Sequence, residues 1–324
     1  MKFFFGFLKR MPNKVSTVLV GLGKIGVGYD LDENVFRKGQ TYTHLKSILE
    51  NEKFYALAII DTNPQVLKQI NSLVNITSGT EILLPWISKK FELLVIACPT
   101  SKHLKVLKDA SKAAKFNYLL IEKPVGASKI ECFEIQEITK SQSIEVYVNY
   151  FRRYLRSTNE VKAFLNSIQK GAFLSAQIKS YGTLANIFSH FIDLGIEITG
   201  ADIFCACPKI SQSNNPGNVV LHCYKCNSQI TLIGINDSPN KSEVVLNFER
   251  IEIRIINNGF DFVVWNKFSD IRLEFKSTPY EIANYQQLVY SKISAVLGKP
   301  NSISGLDQAL SVHGFLDSVY SSYG

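Results

Sequence analysis

The chain has 324 residues, 46% of them hydrophobic and 20% charged, with a net charge of +8; this describes one large or two ordinary folded domains and excludes a disordered chain. The positive excess suits an anionic ligand, but the basic residues are scattered, without the stripe or aromatic-interleaved patch of a nucleic-acid binder, so no nucleic acid partner is expected. No apolar run reaches the about 20 residues of a membrane span.

Residues 1–12 contain one short apolar stretch, Phe3–Leu8, followed at once by Lys9 and Arg10 and by no small-residue cleavage site. They read as a mobile extension and not as an export signal, with a weak membrane-surface contact as the alternative. A cytoplasmic protein with reduced thiols is the resulting expectation.

From there the apolar runs Val15–Val20, Tyr55–Ile60, Leu93–Ala97, Tyr118–Ile121 and Ile144–Val148 alternate with helical patterns. Continuous apolar strands separated by helices predict a parallel sheet built of βαβ units over residues 13–148. Leu104, Leu107, Ala110 and Ala114 recur at helical spacing, with Ser101 placed as an N-cap.

The first strand runs into Gly21-Leu-Gly23-Lys24-Ile25-Gly26. In that position the pattern is a dinucleotide fingerprint: one glycine for the tight turn, one for close approach of the pyrophosphate, and one for helix-on-strand packing. The helix that follows is expected to turn its free N–H groups toward the phosphates. This defines a Rossmann-type domain. Asp61, closing the second run, is the candidate ribose ligand, with a turn or cap residue before Asn63-Pro64 as the other reading. It follows Gly26 by 35 residues, against about 20 in the usual fingerprint, so residues 27–40 read as an insertion able to cover the cofactor or reach the substrate. A carboxylate there repels a 2′-phosphate, which favours NAD over NADP.

Residues 149–324 have another texture. A polar helix over Arg153–Gln169, a strand over Ala172–Tyr181 and an apolar helix over Phe188–Thr199 precede alternating strands from Ala201 to Lys276, and helices over Tyr280–Leu297 and Ser304–Ser321 close the chain. That order predicts an α+β domain with an open, mostly antiparallel sheet, a terminal helix free to pack back on the first domain, and a homo-oligomer formed through the open sheet face. Cys205, Cys207, Cys223 and Cys226 fall in strand-like stretches and read as small apolar residues, so no metal is expected; structural zinc is the competing reading.

Several segments together resemble the Gfo/Idh/MocA oxidoreductases: Cys98-Pro99-Thr100-Ser-Lys-His103, Glu122-Lys123-Pro124, Val148-Asn-Tyr150-Phe-Arg152-Arg153-Tyr, and Ser189-His190-Phe-Ile-Asp193. The resemblance spans about residues 15–321. It implies that Lys123 touches both the nicotinamide ribose and the reacting oxygen, that Pro124 is often cis, and that His190 is the general acid/base. It also assigns Cys98, Pro99, Thr100, His103 and Glu122 to the cofactor side, with His103 supporting the loop and not reacting. Tyr150, Arg152, Arg153, Tyr181 and Asp193 go to the substrate side, with packing or salt-bridge roles as the alternative. Asn186 stands where the family has a catalytic acid; it hydrogen-bonds but exchanges no proton. The implied activity is NAD-dependent hydride transfer at a hydroxyl or keto carbon of a sugar, nucleotide-sugar or cyclic polyol. The Tyr181–His190 stretch is similar to members associated with bacterial surface-polysaccharide sugar synthesis. The family fold also serves as a non-catalytic NAD(H)-sensing regulator, the second reading.

Overall fold

A computed structural model describes residues 14–31, 39–81, 91–180, 187–200, 209–215, 218–225, 228–234, 242–297 and 305–321. The apolar runs of the first half become β1 (Val15–Val20), β2 (Phe54–Ile60), β4 (Leu93–Ile96), β5 (Tyr118–Ile121) and β6 (Glu145–Val148), joined by a short β3 (Thr77–Gly79). All pair in parallel, in the order β3-β2-β1-β4-β5-β6. The order reverses between β1 and β4, and the crevice at the carboxyl ends of those strands is where such a sheet binds its ligand.

Four helices cover this sheet: α1 (His44–Glu50), α2 (Pro64–Leu73), α3 (His103–Ala113) and α4 (Lys129–Ser141). Ser101 does not cap α3. The chain is already turning there, in a 3-10 turn over Thr100–Lys102 closed by Lys102 N donating to Pro99 O at 2.8 Å, and Lys102 occupies the N-cap without a side-chain bond.

The second half adds α5 (Arg156–Ser167), β7 (Phe173–Ser180), α6 (Ser189–Thr199), β8 (Lys209–Asn215), β9 (Asn218–Lys225), β10 (Ser228–Gly234), β11 (Glu243–Phe248), β12 (Ile251–Ile256), β13 (Asp261–Asn266) and β14 (Ile271–Lys276). They form an eight-stranded sheet, β14-β13-β12-β11-β7-β10-β9-β8, antiparallel except where β10 runs beside β7. Alternation does its ordinary work here: Ala176, Ile178, Val244, Leu246, Ile253 and Ile255 point inward onto α5 and α6, while Gln177, Lys179 and Arg254 point out. Cys223 lies in β9, and Cys205, Cys207 and Cys226 lie outside the described residues. Among the described residues no cluster of His, Cys, Asp and Glu is disposed to hold a metal, and no helix is long and apolar enough to cross a membrane.

The helix expected over Tyr280–Leu297 divides into α7 (Pro279–Ala283) and α8 (Tyr285–Val296) at Asn284, where ψ swings to 29° and Asn284 N closes onto Glu281 O. The break re-aims α8 so that Val289, Tyr290 and Ile293 pack against the first sheet. α9 (Leu306–Ser321) joins the two cores, burying Leu306 and Ala309 in the first and Val312, Phe315 and Leu316 in the second. Phe315→Ala is therefore expected to cost about 3–5 kcal/mol, read as a lowered urea midpoint with an unchanged slope.

Candidate active site

After β1 the chain turns at Gly21, whose φ of +100° and whose position, with an added Cβ only 2.4 Å from Cys98 N, admit no side chain. Gly26 is as tight, its Cβ position 2.2 Å from Gly21 O, whereas nothing lies within 4 Å of the Cβ position of Gly23. Two glycines thus serve packing, and the middle one leaves open the cradle a pyrophosphate needs. The helix expected next is a single π-helical turn, Lys24–Gly28, in which Val27 N and Gly28 N share Gly23 O. The chain leaves this turn because Asp30, fully buried, accepts from the N–H groups of Tyr42 and Thr43 and from the Thr43 hydroxyl at 2.7–3.1 Å. That contact pins the base of the insertion, of which residues 32–38 lie outside the described residues.

Asp61 accepts from Leu22 N at 2.6 Å and from Asn63 N at 2.8 Å. It braces the glycine loop and the entry to α2 together, and each oxygen keeps a lone pair for a further donor.

The parallel ladders continue one residue past the strands: Ala97 N donates to Val20 O, Glu122 N to Ile96 O, and Asn149 N to Ile121 O, at 2.8–2.9 Å. Cys98-Pro99, Glu122-Lys123 and Asn149 therefore stand in a row at the carboxyl edge, with the Lys123-Pro124 peptide cis. A cleft of about 470 Å³ opens over this row. Gly23, Lys24 and Ile25 line it on the loop side, Tyr29 from the insertion, and Phe151, Ile187, His190 and Tyr285 on the far side. These residues fit a dinucleotide: an open glycine cradle, a row of edge residues, and a wall from the second domain.

Lys123 and His190 line this one cleft. Burial pulls the Lys123 ammonium down to about 8; Glu122 opposes the shift and Arg152 adds to it. Burial, then the charges of Lys123 and Arg152, hold His190 well below the ordinary imidazole range. Its Nδ1 has no partner among the described residues. The pair is thus a cation that gives up its proton near neutrality beside a neutral imidazole.

Behind Lys123 lies a network that sequence reasoning missed. Glu122 accepts from His44 Nε2 at 2.9 Å and from Asn149 Nδ2; His44 Nδ1 meets the Tyr290 hydroxyl at 2.9 Å, and Asn149 Nδ2 also donates to Gln286 Oε1 at 3.1 Å. All five side chains are buried. Burial alone would raise the Glu122 carboxyl, but the bond and charge of His44, then Asn149 and Lys123, outweigh it and the net direction is down. Tyr285, stacked on Phe151 at 4.3 Å, was missed as well. Asn149 sits inside the Val148–Tyr154 motif and was within reach of sequence reading. His44, Tyr285, Gln286 and Tyr290 carry no local signal, because only tertiary folding brings α1 and α8 to Glu122.

Other candidates stand elsewhere. His103 is buried, its ring nitrogens 3.1 Å from Val125 O and 2.9 Å from Cys98 O; it staples the two edge loops from below. Thr100 belongs to the 3-10 turn. Tyr150 is buried against His190, and its hydroxyl is not in the cleft wall. Arg152 is not a cleft residue either: its guanidinium lies 4.5 Å from the Phe151 ring centre and under Phe191 and Phe260, with Nε donating to Asn258 O at 2.7 Å. Arg153, for which a salt-bridge role was the alternative, and Asp193, expected at the substrate, form a two-pronged buried ion pair with each other, as buried charges need partners. Tyr181 and Asn186 lie outside the described residues.

Residues 15–150 match the family model described as an oxidoreductase family with an NAD-binding Rossmann fold, that of the Gfo/Idh/MocA proteins. Among solved structures, the chain is similar to a super-repressor mutant of Gal80p from Saccharomyces cerevisiae (14% identity, 95% of each chain, TM-score 0.75). It is also similar to a dehydrogenase, MviM, from Clostridium difficile (14%, 95% of this chain and 99% of that one, 0.69). A third likeness is to an oxidoreductase from Sinorhizobium meliloti (11%, 95% and 97%, 0.72). At such identities the likeness is one of fold. No curated protein matches the sequence.

The reassignment of Asp193 has a measurable consequence. Asp193→Ala leaves Arg153 as an uncompensated buried charge and is expected to lower stability by about 3–5 kcal/mol, read by chemical denaturation.

Proposed function

We propose that this chain, whose residues 15–150 match the Gfo/Idh/MocA oxidoreductase family, is an NAD-dependent oxidoreductase. It moves a hydride between nicotinamide and a hydroxyl or keto carbon of a sugar, nucleotide-sugar or cyclic polyol. The observation that carries this reading is the meeting of Lys123 and His190 in one cleft above the glycine loop.

The nicotinamide, when bound, supplies the hydride acceptor or donor. Lys123 holds the reacting oxygen with its ammonium and stabilises developing alkoxide charge in a site partly closed to water. His190, neutral because burial and two nearby cations disfavour its charged form, takes the hydroxyl proton. Glu122, kept ionised by His44 and Asn149, offsets part of the burial that acts against the Lys123 charge. Asn186 replaces the family's acid and is left with hydrogen bonding to a substrate hydroxyl. The sugar-like substrate rests on the resemblance of residues 181–190. The setting proposed is the cytoplasm, in a homo-oligomer assembled through the outer face of the eight-stranded sheet.

A second reading, a non-catalytic NAD(H)-sensing protein, draws on Asn186 and on the fold shared with Gal80p, whose solved form is a super-repressor. Purified protein that binds NADH but never oxidises it with any of a panel of keto-sugars supports that reading; turnover removes it.

Lys123→Ala and His190→Ala are each expected to cut turnover by about 10²–10⁴, with NADH affinity nearly unchanged in the His190 variant. The oxidation rate requires protonated Lys123 and neutral His190. It is therefore full below about 8 and lost as pH rises through the Lys123 value, while the acid limb falls well below the ordinary histidine range.

Asp61 sets cofactor choice in this reading, and NAD(H) is expected to bind more tightly than NADP(H) in fluorescence titrations. Equal or tighter NADP(H) binding removes Asp61 as the ribose ligand.

A further inference from the structure

Asn149 closes β6 beside Glu122 and is only 2% exposed. Its amide has two N–H donors, and both are committed, one to Glu122 Oε1 and one to Gln286 Oε1. Its carbonyl oxygen, Oδ1, has no partner among the described residues, although Asn149 lines the cleft.

The network also fixes which way the amide faces. Turned over, Asn149 would set Oδ1 against the Glu122 carboxylate and against Gln286 Oε1. Gln286 is itself oriented, because its Nε2 lies 3.2 Å from His44 Nδ1. The network therefore leaves Asn149, a lining residue of the cleft, with a spare acceptor and no spare donor. An isolated buried acceptor is costly, and a ligand N–H or O–H relieves that cost.

Resting on the dinucleotide reading of the cleft, we propose that Asn149 Oδ1 accepts a hydrogen bond from the carboxamide N–H of the nicotinamide, and so makes the site selective for the amide on the ring. A sugar hydroxyl offers the same donor chemistry. Position favours the cofactor. Asn149 belongs to the carboxyl edge of the parallel sheet, on which a dinucleotide lies, two strands from the glycine loop's partner Ala97-Cys98 and next to Glu122-Lys123. Ile187 and His190, which close the opposite side, come from the second domain.

The test is binding, not turnover. Wild-type protein is titrated with NAD+, with 3-acetylpyridine adenine dinucleotide, in which a methyl replaces the amide nitrogen, and with thionicotinamide adenine dinucleotide, which keeps that nitrogen. The acetylpyridine analogue is expected to bind about 5- to 20-fold more weakly than NAD+, and the thio analogue within about threefold of it. Asn149→Ala should bring the first ratio close to one. Gln286→Leu disturbs the same network but keeps Oδ1, and should preserve the ratio even if every affinity drops, which a merely structural role for Asn149 does not predict. A wild-type ratio near one overturns the inference without needing a variant, and so does a ratio that survives in Asn149→Ala. Asn149→Ser, too short to reach the same point, takes the place of the alanine variant if that fails to fold. Absence of NAD+ binding to the wild type is a different failure: it removes the dinucleotide reading itself.

Discussion

A carboxylate buried in the middle of the molecule organises the site. Glu122 ends β5 with 9% of its surface exposed, and a charge taken so far out of water is stable only if other groups replace its hydration. His44 from α1, Asn149 from the end of β6 and the adjacent Lys123 do so. The first two depend in turn on α8, where Tyr290 holds His44 and Gln286 holds Asn149. One carboxylate thus obliges an insertion-side helix, two strand ends and a helix from the far end of the chain to meet. Networks of this kind are stable only when complete, so the geometry around Lys123 is specified by four elements together.

The electrostatics of the cleft follow from that arrangement. Lys123 and Arg152 are two cations set against one ionised carboxylate, in surroundings with little water, and both the ammonium and the nearby imidazole are pushed toward their neutral forms. Arg152 is not in the cleft wall, yet it helps keep His190 neutral from beneath a cover of three phenylalanine rings. Gly259 makes this cover feasible: with φ of +85° and its Cβ position 2.6 Å from Arg152 Cδ, no other residue leaves room for the guanidinium.

Most of the first sheet was legible in the sequence because buried parallel strands write themselves as uninterrupted apolar runs, and all five expected strands match to within a residue at each end. β3 was not, since Thr77-Ser-Gly79 has neither length nor apolar character. The glycine loop was readable because its residues obey local backbone rules. The helix expected after it was not, because the buried Asp30 diverts the chain into a single turn, and a carboxylate in a loop does not announce its burial. Motif reading singled out Lys123 and His190, which line one cleft, and the same motifs offered Arg153 a substrate or a salt-bridge role and Asp193 a substrate role, whereas the two pair with each other. A charged residue in a conserved-looking segment reads the same whether it faces a ligand or another charge; only the fold distinguishes them. His44 and Gln286 lie on opposite sides of Glu122 in sequence and reach it, directly or through Asn149, only once the chain has folded.

The Arg153–Asp193 pair also bears on where His190 sits. Asp193 follows His190 by three residues on α6, so the two share a helix face one turn apart. Arg153, on the 3-10 turn directly after the Asn149-Tyr150 edge, grips Asp193 with two nitrogens, and Gln308 of α9 adds a bond to Asp193 O at 3.0 Å. Rotation of α6 about its axis would move Asp193 and His190 together, so the contacts that hold Asp193 also resist displacement of His190. The helix that carries His190 and the strand-end segment that carries Asn149 are therefore tied together through an ion pair that lies outside the cleft wall. Together with α9 and α8, which also bridge the two halves, that pair ties α6, and with it His190, to the segment after β6.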